Sequence, residues 1–128
     1  MATEILINDG GAPARILPFV AAEDITAGYA LAVNSSGEVK LSDRDDGELA
    51  AIGYGLTTIT SGNIVSVITG HGVVLNVYCA NVNAGVGMML GTTDGQLITA
   101  TNATTKPGCQ ATTLENNSGA GLTKVITH

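Results

Sequence analysis

Short runs of β-branched and aliphatic residues recur along this chain, each broken by glycine, asparagine, aspartate or serine, and that spacing predicts strands joined by tight turns. The run at 29–33, the polar stretch Asn34-Ser35-Ser36-Gly37 and the return at 38–41 predict a hairpin, and 88–90, 91–95 and 96–99 predict another. Further strands are expected at 50–56, 64–68, 72–78 and 122–126. No segment holds a helical period over the roughly 10 to 12 residues that would demand a helix, although 79–87 and 109–117 could each accommodate a short one.

The two hairpins belong to an internal duplication. Asp24-Ile25-Thr26-Ala27-Gly28 is answered by Asn81-Val82-Asn83-Ala84-Gly85, Thr57-Thr58-Ile59 by Thr112-Thr113-Leu114, and Val67-Ile68-Thr69-Gly70-His71 by Val125-Ile126-Thr127-His128. Two units of roughly 50 residues, 21–71 and 79–128, are expected, joined by a linker strand at 72–78. The fold class that follows is all-β: a compact barrel or sandwich built from two similar units, in a single domain over 21–128.

Residues 1–20 stand outside both units. Pro13 and Pro18, with Gly10-Gly11 between the apolar Ile5-Leu6-Ile7 and Ile16-Leu17-Pro18-Phe19-Val20, suit an extended N-terminal arm. Such an arm could add a strand to a neighbour's sheet edge or serve as a first strand of its own chain.

Composition narrows the function. Hydrophobic residues make up 45% of the 128 positions, while only 12% are charged and the net charge is −6. A surface so poor in charge suggests cover by other subunits. Arg15, Lys40, Arg44, Lys106 and Lys124 form no stripe that could neutralise phosphates, so neither nucleic acid nor an anionic membrane is expected as a partner. The first residues lack the basic and apolar segments of a secretory signal, and the chain is expected to stay where it is synthesised.

Little in the sequence points to chemistry. His71 and His128 end the two units without a neighbouring nucleophile or carboxylate. The acidic run Ser42-Asp43-Arg44-Asp45-Asp46-Gly47-Glu48 fails the calcium-loop pattern, which, counted from Asp43, needs an oxygen ligand where Gly47 stands and an acid where Tyr54 stands. Close glycine pairs such as Gly53 and Gly55 lack a phosphate-loop context. Cys79 and Cys109 read as reduced core residues, with a single bridge as the alternative. No catalytic residue, metal or cofactor is expected, and the chain does not read as an enzyme.

The repeated openings at 24–28 and 81–85, with Ile52-Gly53-Tyr54-Gly55-Leu56, Thr60-Ser61-Gly62-Asn63 and Val65-Ser66-Val67, resemble bacteriophage head decoration proteins, also called capsid cement proteins. The resemblance implies a structural virion protein, made in the host cytoplasm and carried on the capsid exterior. It would act as a homotrimer that clamps adjacent subunits of the major capsid protein. The partner-binding residues would be Ile5, Leu6, Ile7, Ala12, Pro13, Arg15, Ile16, Leu17 and Phe19 in the arm. Two other classes fit the composition: a surface-displayed carbohydrate- or receptor-binding β module, and a tail-tube-like structural subunit that polymerises alone.

Overall fold

The computed structural model describes residues 5–8, 14–43, 51–100 and 110–128. Their strands are β1 Leu6–Asn8, β2 Arg15–Val20, β3 Ala30–Val33, β4 Val39–Leu41, β5 Gly53–Gly55, β6 Ile64–Thr69, β7 Val74–Cys79, β8 Gly87–Leu90, β9 Leu97–Thr99, β10 Ala111–Thr113 and β11 Gly121–Thr127. The protein is all-β, and there is no helix among the described residues. The two segments that could have coiled are instead tied across the second unit, where Val82 bridges Asn117.

The duplication is a duplication of topology. One sheet runs β2-β6-β5-β3-β4, and the other runs β7-β11-β10-β8-β9 with β1 added outside β7. Cys79 pairs in parallel with Leu97, which brings β9 back onto β7 and closes the second sheet into a five-stranded barrel. At the matching place in the first sheet Ala21 bridges Val39, also in parallel. Turn hydrogen bonds repeat with the strands: Gly28 N–H donates to Gly55 O and Gly85 N–H to Thr113 O, both at 2.8 Å. Ala27 N–H donates to Thr58 Oγ1 where Ala84 N–H donates to Asn116 Oδ1.

The folded repeat is therefore longer than the repeat visible in sequence. The segment 72–78 contains most of β7 and opens the second unit, and β2, within the expected arm, opens the first. The reason it is hard to see is that β7 alternates buried and half-exposed positions throughout, as one covered face demands, whereas four of the six β2 residues in a row are exposed.

Two apolar clusters form the core among the described residues. Ala21, Ile25, Leu31, Val39, Val65 and Val67 pack inside the first unit. The larger cluster joins Leu75, Val77, Cys79, Met88, Leu90, Leu97 and Val125 of the second unit to Ala30, Tyr54 and Ile68 of the first and to Ile5. Strand β6 serves both, since Val67 and Ile68 point to opposite faces. Gly53 lies tight against the neighbouring strand β6: a Cβ there would lie 2.4 Å from the Ile68 carbonyl oxygen. Cys79 is a free thiol in this core, and burial pushes its pKa up to about 12 against a smaller opposing pull from the Thr123 hydrogen bond. Cys109 lies outside the described residues.

The units also meet through polar backbone. Ala30 N–H donates to Gly95 O at 3.0 Å, Gly95 N–H to Ser42 O at 2.8 Å and Tyr78 N–H to Gly28 O at 2.9 Å. Ala51 N–H donates to Gln110 Oε1 at 3.1 Å.

Candidate docking surface

The expected partner-binding residues fall into two places. Ile5 is buried in the shared core, Leu6 sits opposite Leu75 in the β1–β7 pair, and Ile7 is exposed. Here 5–8 serves as a strand of its own chain. Ala12 and Pro13 lie outside the described residues. Arg15, Ile16, Leu17 and Phe19 are brought together on β2, paired antiparallel with β6 from Arg15 opposite Thr69 to Val20 opposite Ile64. Thr69 Oγ1 donates to the Arg15 carbonyl at 3.1 Å, and Phe19 turns partly into the first cluster.

Strand β2 is an edge, and an unusually apolar one. Ile16, Leu17 and Val20 are all exposed, as is Ile64 beside them at 58%. Val20 and Ile64 escaped the sequence reading, because Ile64 looks like any other strand residue until its neighbours are known. Backbone polarity along β2 follows from its ends. Ala21 N–H donates inward to Asn63 O, and Ala22 N–H donates the other way, to Val39 O. Backbone groups alternate along a strand, so Ile16, Pro18 and Val20 direct theirs to the open edge. Pro18 thus withholds a donor from the side where a further strand would pair.

The equivalent edge of β7 is covered. Asn76, the counterpart of Pro18, donates its N–H to Ile5 O at 2.8 Å, and Tyr78, the counterpart of Val20, donates to Gly28 O. The duplicated strands thus differ among the described residues, one edge sealed by the chain itself and the other open.

A cleft of about 430 Å³ lies where the units join, lined by Arg15, Tyr54, His71, Gln110 and His128 among others. The two histidines that end the repeats therefore face one space. His128 Nε2 lies 2.6 Å from Thr112 Oγ1, and no Asp or Glu side chain lines the cleft among the described residues. Burial raises the Tyr54 phenol, which keeps it protonated. The cleft offers hydrogen bonds and, through Arg15, a weak attraction for an anion. Among the described residues there is no group of three or more His, Cys, Asp or Glu side chains able to hold a metal ion. Of the acidic run, 44–48 lies outside the described residues.

No protein-family model and no curated protein matches the chain. Among solved structures it is similar to the crystal structure of the N base of the head fiber protein gp8.5 of bacteriophage phi29, with a TM-score of 0.69 over 91% of this chain and 95% of that one. Sequence identity is 11%, so what the two share is the fold.

Proposed function

We propose that this chain is a structural protein of a bacteriophage virion, which binds the outside of the assembled head as a homotrimer and stabilises it by clamping adjacent major capsid protein subunits. The observation that carries the reading is the fold, shared over nearly the whole of both chains with the base of a phage head fiber. Surface chemistry agrees with it. The Arg15–Leu17 end of β2 offers an exposed apolar contact beside a cation, and a net charge of −6 suits the exterior better than a DNA-facing interior.

The action would be adhesive. A ligand that binds only the closed lattice stabilises it by mass action, and three copies of a modest contact reinforce one another once the first is made. Ile7, Arg15, Ile16 and Leu17 would touch the shell. Ile5 and Phe19 would support those contacts from within.

Cosedimentation with undecorated mature capsids and with their unexpanded precursors tests this. The comparison is the double variant Ile16→Asp, Leu17→Asp, because removing 1–20 would also strip Ile5 from the core. Saturable binding to mature shells, weakened at least ~10-fold in the variant, is expected. Failure to bind either shell would sink the reading.

A further inference from the structure

The junction between the two units is built from parts that recur in the duplication. Within the chain, the 26–30 tip of the first unit sits on the second: Gly28 O accepts from Tyr78 N–H, Tyr29 stacks on Tyr78, and the space where Gly28 would carry a Cβ is taken up by Leu122 Cδ2, 2.5 Å away. Gly95 lies under the Tyr29 ring, with a Cβ position 2.6 Å from Tyr29 Cδ2.

Each of these positions has a twin in the other unit; four of the five twins are exposed, and the fifth, Val86, the twin of Tyr29, is partly buried against the shared core. The register fixes the correspondence, since Val20 opposes Ile64 as Tyr78 opposes Leu122. Val20 and Ile64 are exposed. Gly37, the twin of Gly95, and Gly85, the twin of Gly28, have nothing within 4 Å of a Cβ position. Gly28 and Gly85 share the left-handed backbone, φ 85° and 79°, so the two tips present the same shape. Ala27 is partly buried against the shared core, and its twin Ala84 is exposed.

We propose that the 83–87 tip of one copy docks on the Val20–Ile64 face of a second copy, as the 26–30 tip docks on Tyr78 and Leu122 within the chain. Gly85 O would accept from Val20 N–H, which points to the open edge. Val86, the twin of Tyr29, would meet Val20, the twin of Tyr78. An aromatic pair inside the chain becomes an aliphatic pair between chains, so the match is kept while both partners change. Pro18 agrees with this geometry. Its twin Asn76 donates to β1, for which the first unit has no counterpart among the described residues, and the docked tip asks for a donor at Val20 and none at position 18. The contact is head-to-tail, joining two different surfaces, and such contacts close into rings or run on as filaments. A homotrimer closes this one into a ring in which first and second units alternate.

The inference deepens the oligomeric part of the reading above and is independent of its capsid-binding part. The test uses size-exclusion chromatography with light scattering on the full chain, its receiving-face variant Ile64→Glu and its tip variant Ala84→Glu. Both side chains are exposed, so melting temperatures should stay near that of the parent; Val20→Glu is the second receiving-face variant should Ile64→Glu lose stability. The parent is expected to self-associate, each variant alone to be monomeric, and the two variants mixed in equal amounts to form dimers that grow no further, because one intact tip then meets one intact face. A parent that stays monomeric, an Ile64→Glu oligomer of parental size, or folded variants that remain monomeric when mixed would each overturn the interface. Cosedimentation with shells is read separately, so a monomer that still binds capsids removes this inference and leaves the other standing.

Discussion

Tyr29 and Tyr78 stack with their ring centroids 4.4 Å apart and their planes 15° from parallel, one ring from each unit of the duplication. Aromatic pairs contribute about 0.5–1.5 kcal/mol beyond the area they bury. Tyr29→Ala or Tyr78→Ala should therefore lower stability by about 1–3 kcal/mol. A urea double-mutant cycle should return a coupling near 1 kcal/mol. A coupling indistinguishable from zero would mean that the stacked rings add nothing to what the shared core and the backbone bonds around Gly28 and Gly95 already supply.

Gly53 and Gly119 make a matched contrast. A methyl group on Gly53 would press on the Ile68 carbonyl and on Val67 Cγ1 at 2.7 Å, whereas Gly119 has open space around it. Gly53→Ala should cost more than about 3 kcal/mol, or prevent folding, and Gly119→Ala should stay within about 0.5 kcal/mol of the parent. Denaturation midpoints of the two variants check this, and equal effects would contradict the close approach of β5 to β6.

Thr127 clasps the turn that joins the units. Its hydroxyl accepts from Val73 N–H and donates to Gly70 O, both at 3.0 Å, in a nearly buried position. Thr127→Val keeps the shape and abandons both groups, so a loss of about 1–3 kcal/mol is expected. Thr127→Ser should recover most of it. If valine proves neutral by thermal melting, those backbone groups have found other partners.

The buried thiol of Cys79 and the buried phenol of Tyr54 both have raised pKa values, chiefly through desolvation. An unfolded thiol ionises near ~8.5, so below that pH both states keep the proton and the contribution is whole. As pH rises from there toward the folded value of about 12, the unfolded chain releases its proton while the native chain holds on, and stability falls. Urea midpoints should therefore drop through the alkaline range, and Cys79→Ala should flatten the early part of that drop. A midpoint constant across this range would argue against a buried, protonated Cys79.

Much of the fold was legible because its signals are local. The turns at Asn34-Ser35-Ser36-Gly37 and Gly91–95 announce both hairpins, and the twin openings at 24–28 and 81–85 announce the duplication. What escaped depends on distant neighbours. Nothing in Val74–Cys79 reveals that it pairs with both β1 and β11, and nothing in Ile64 reveals that its cross-strand partner Val20 is bare. Ile5-Leu6-Ile7 reads equally well as a strand for its own sheet or for a neighbour's, since both uses need the same apolar alternation. The two histidines looked remote at the ends of their units, and it is the joining of the units that turns them to one cleft.

Pro18 bears on the life of the free protein before it meets any partner. An exposed, apolar, six-residue strand is the kind of seed from which cross-β fibrils grow. A chain made in quantity in a crowded cell with such an edge would risk precipitating on itself. One imino acid, placed where the edge would otherwise show its middle donor, interrupts the ladder that such growth requires. The apolar side chains on either side stay exposed while the backbone between them resists templating, so the docking face proposed above can lie open without seeding a ladder.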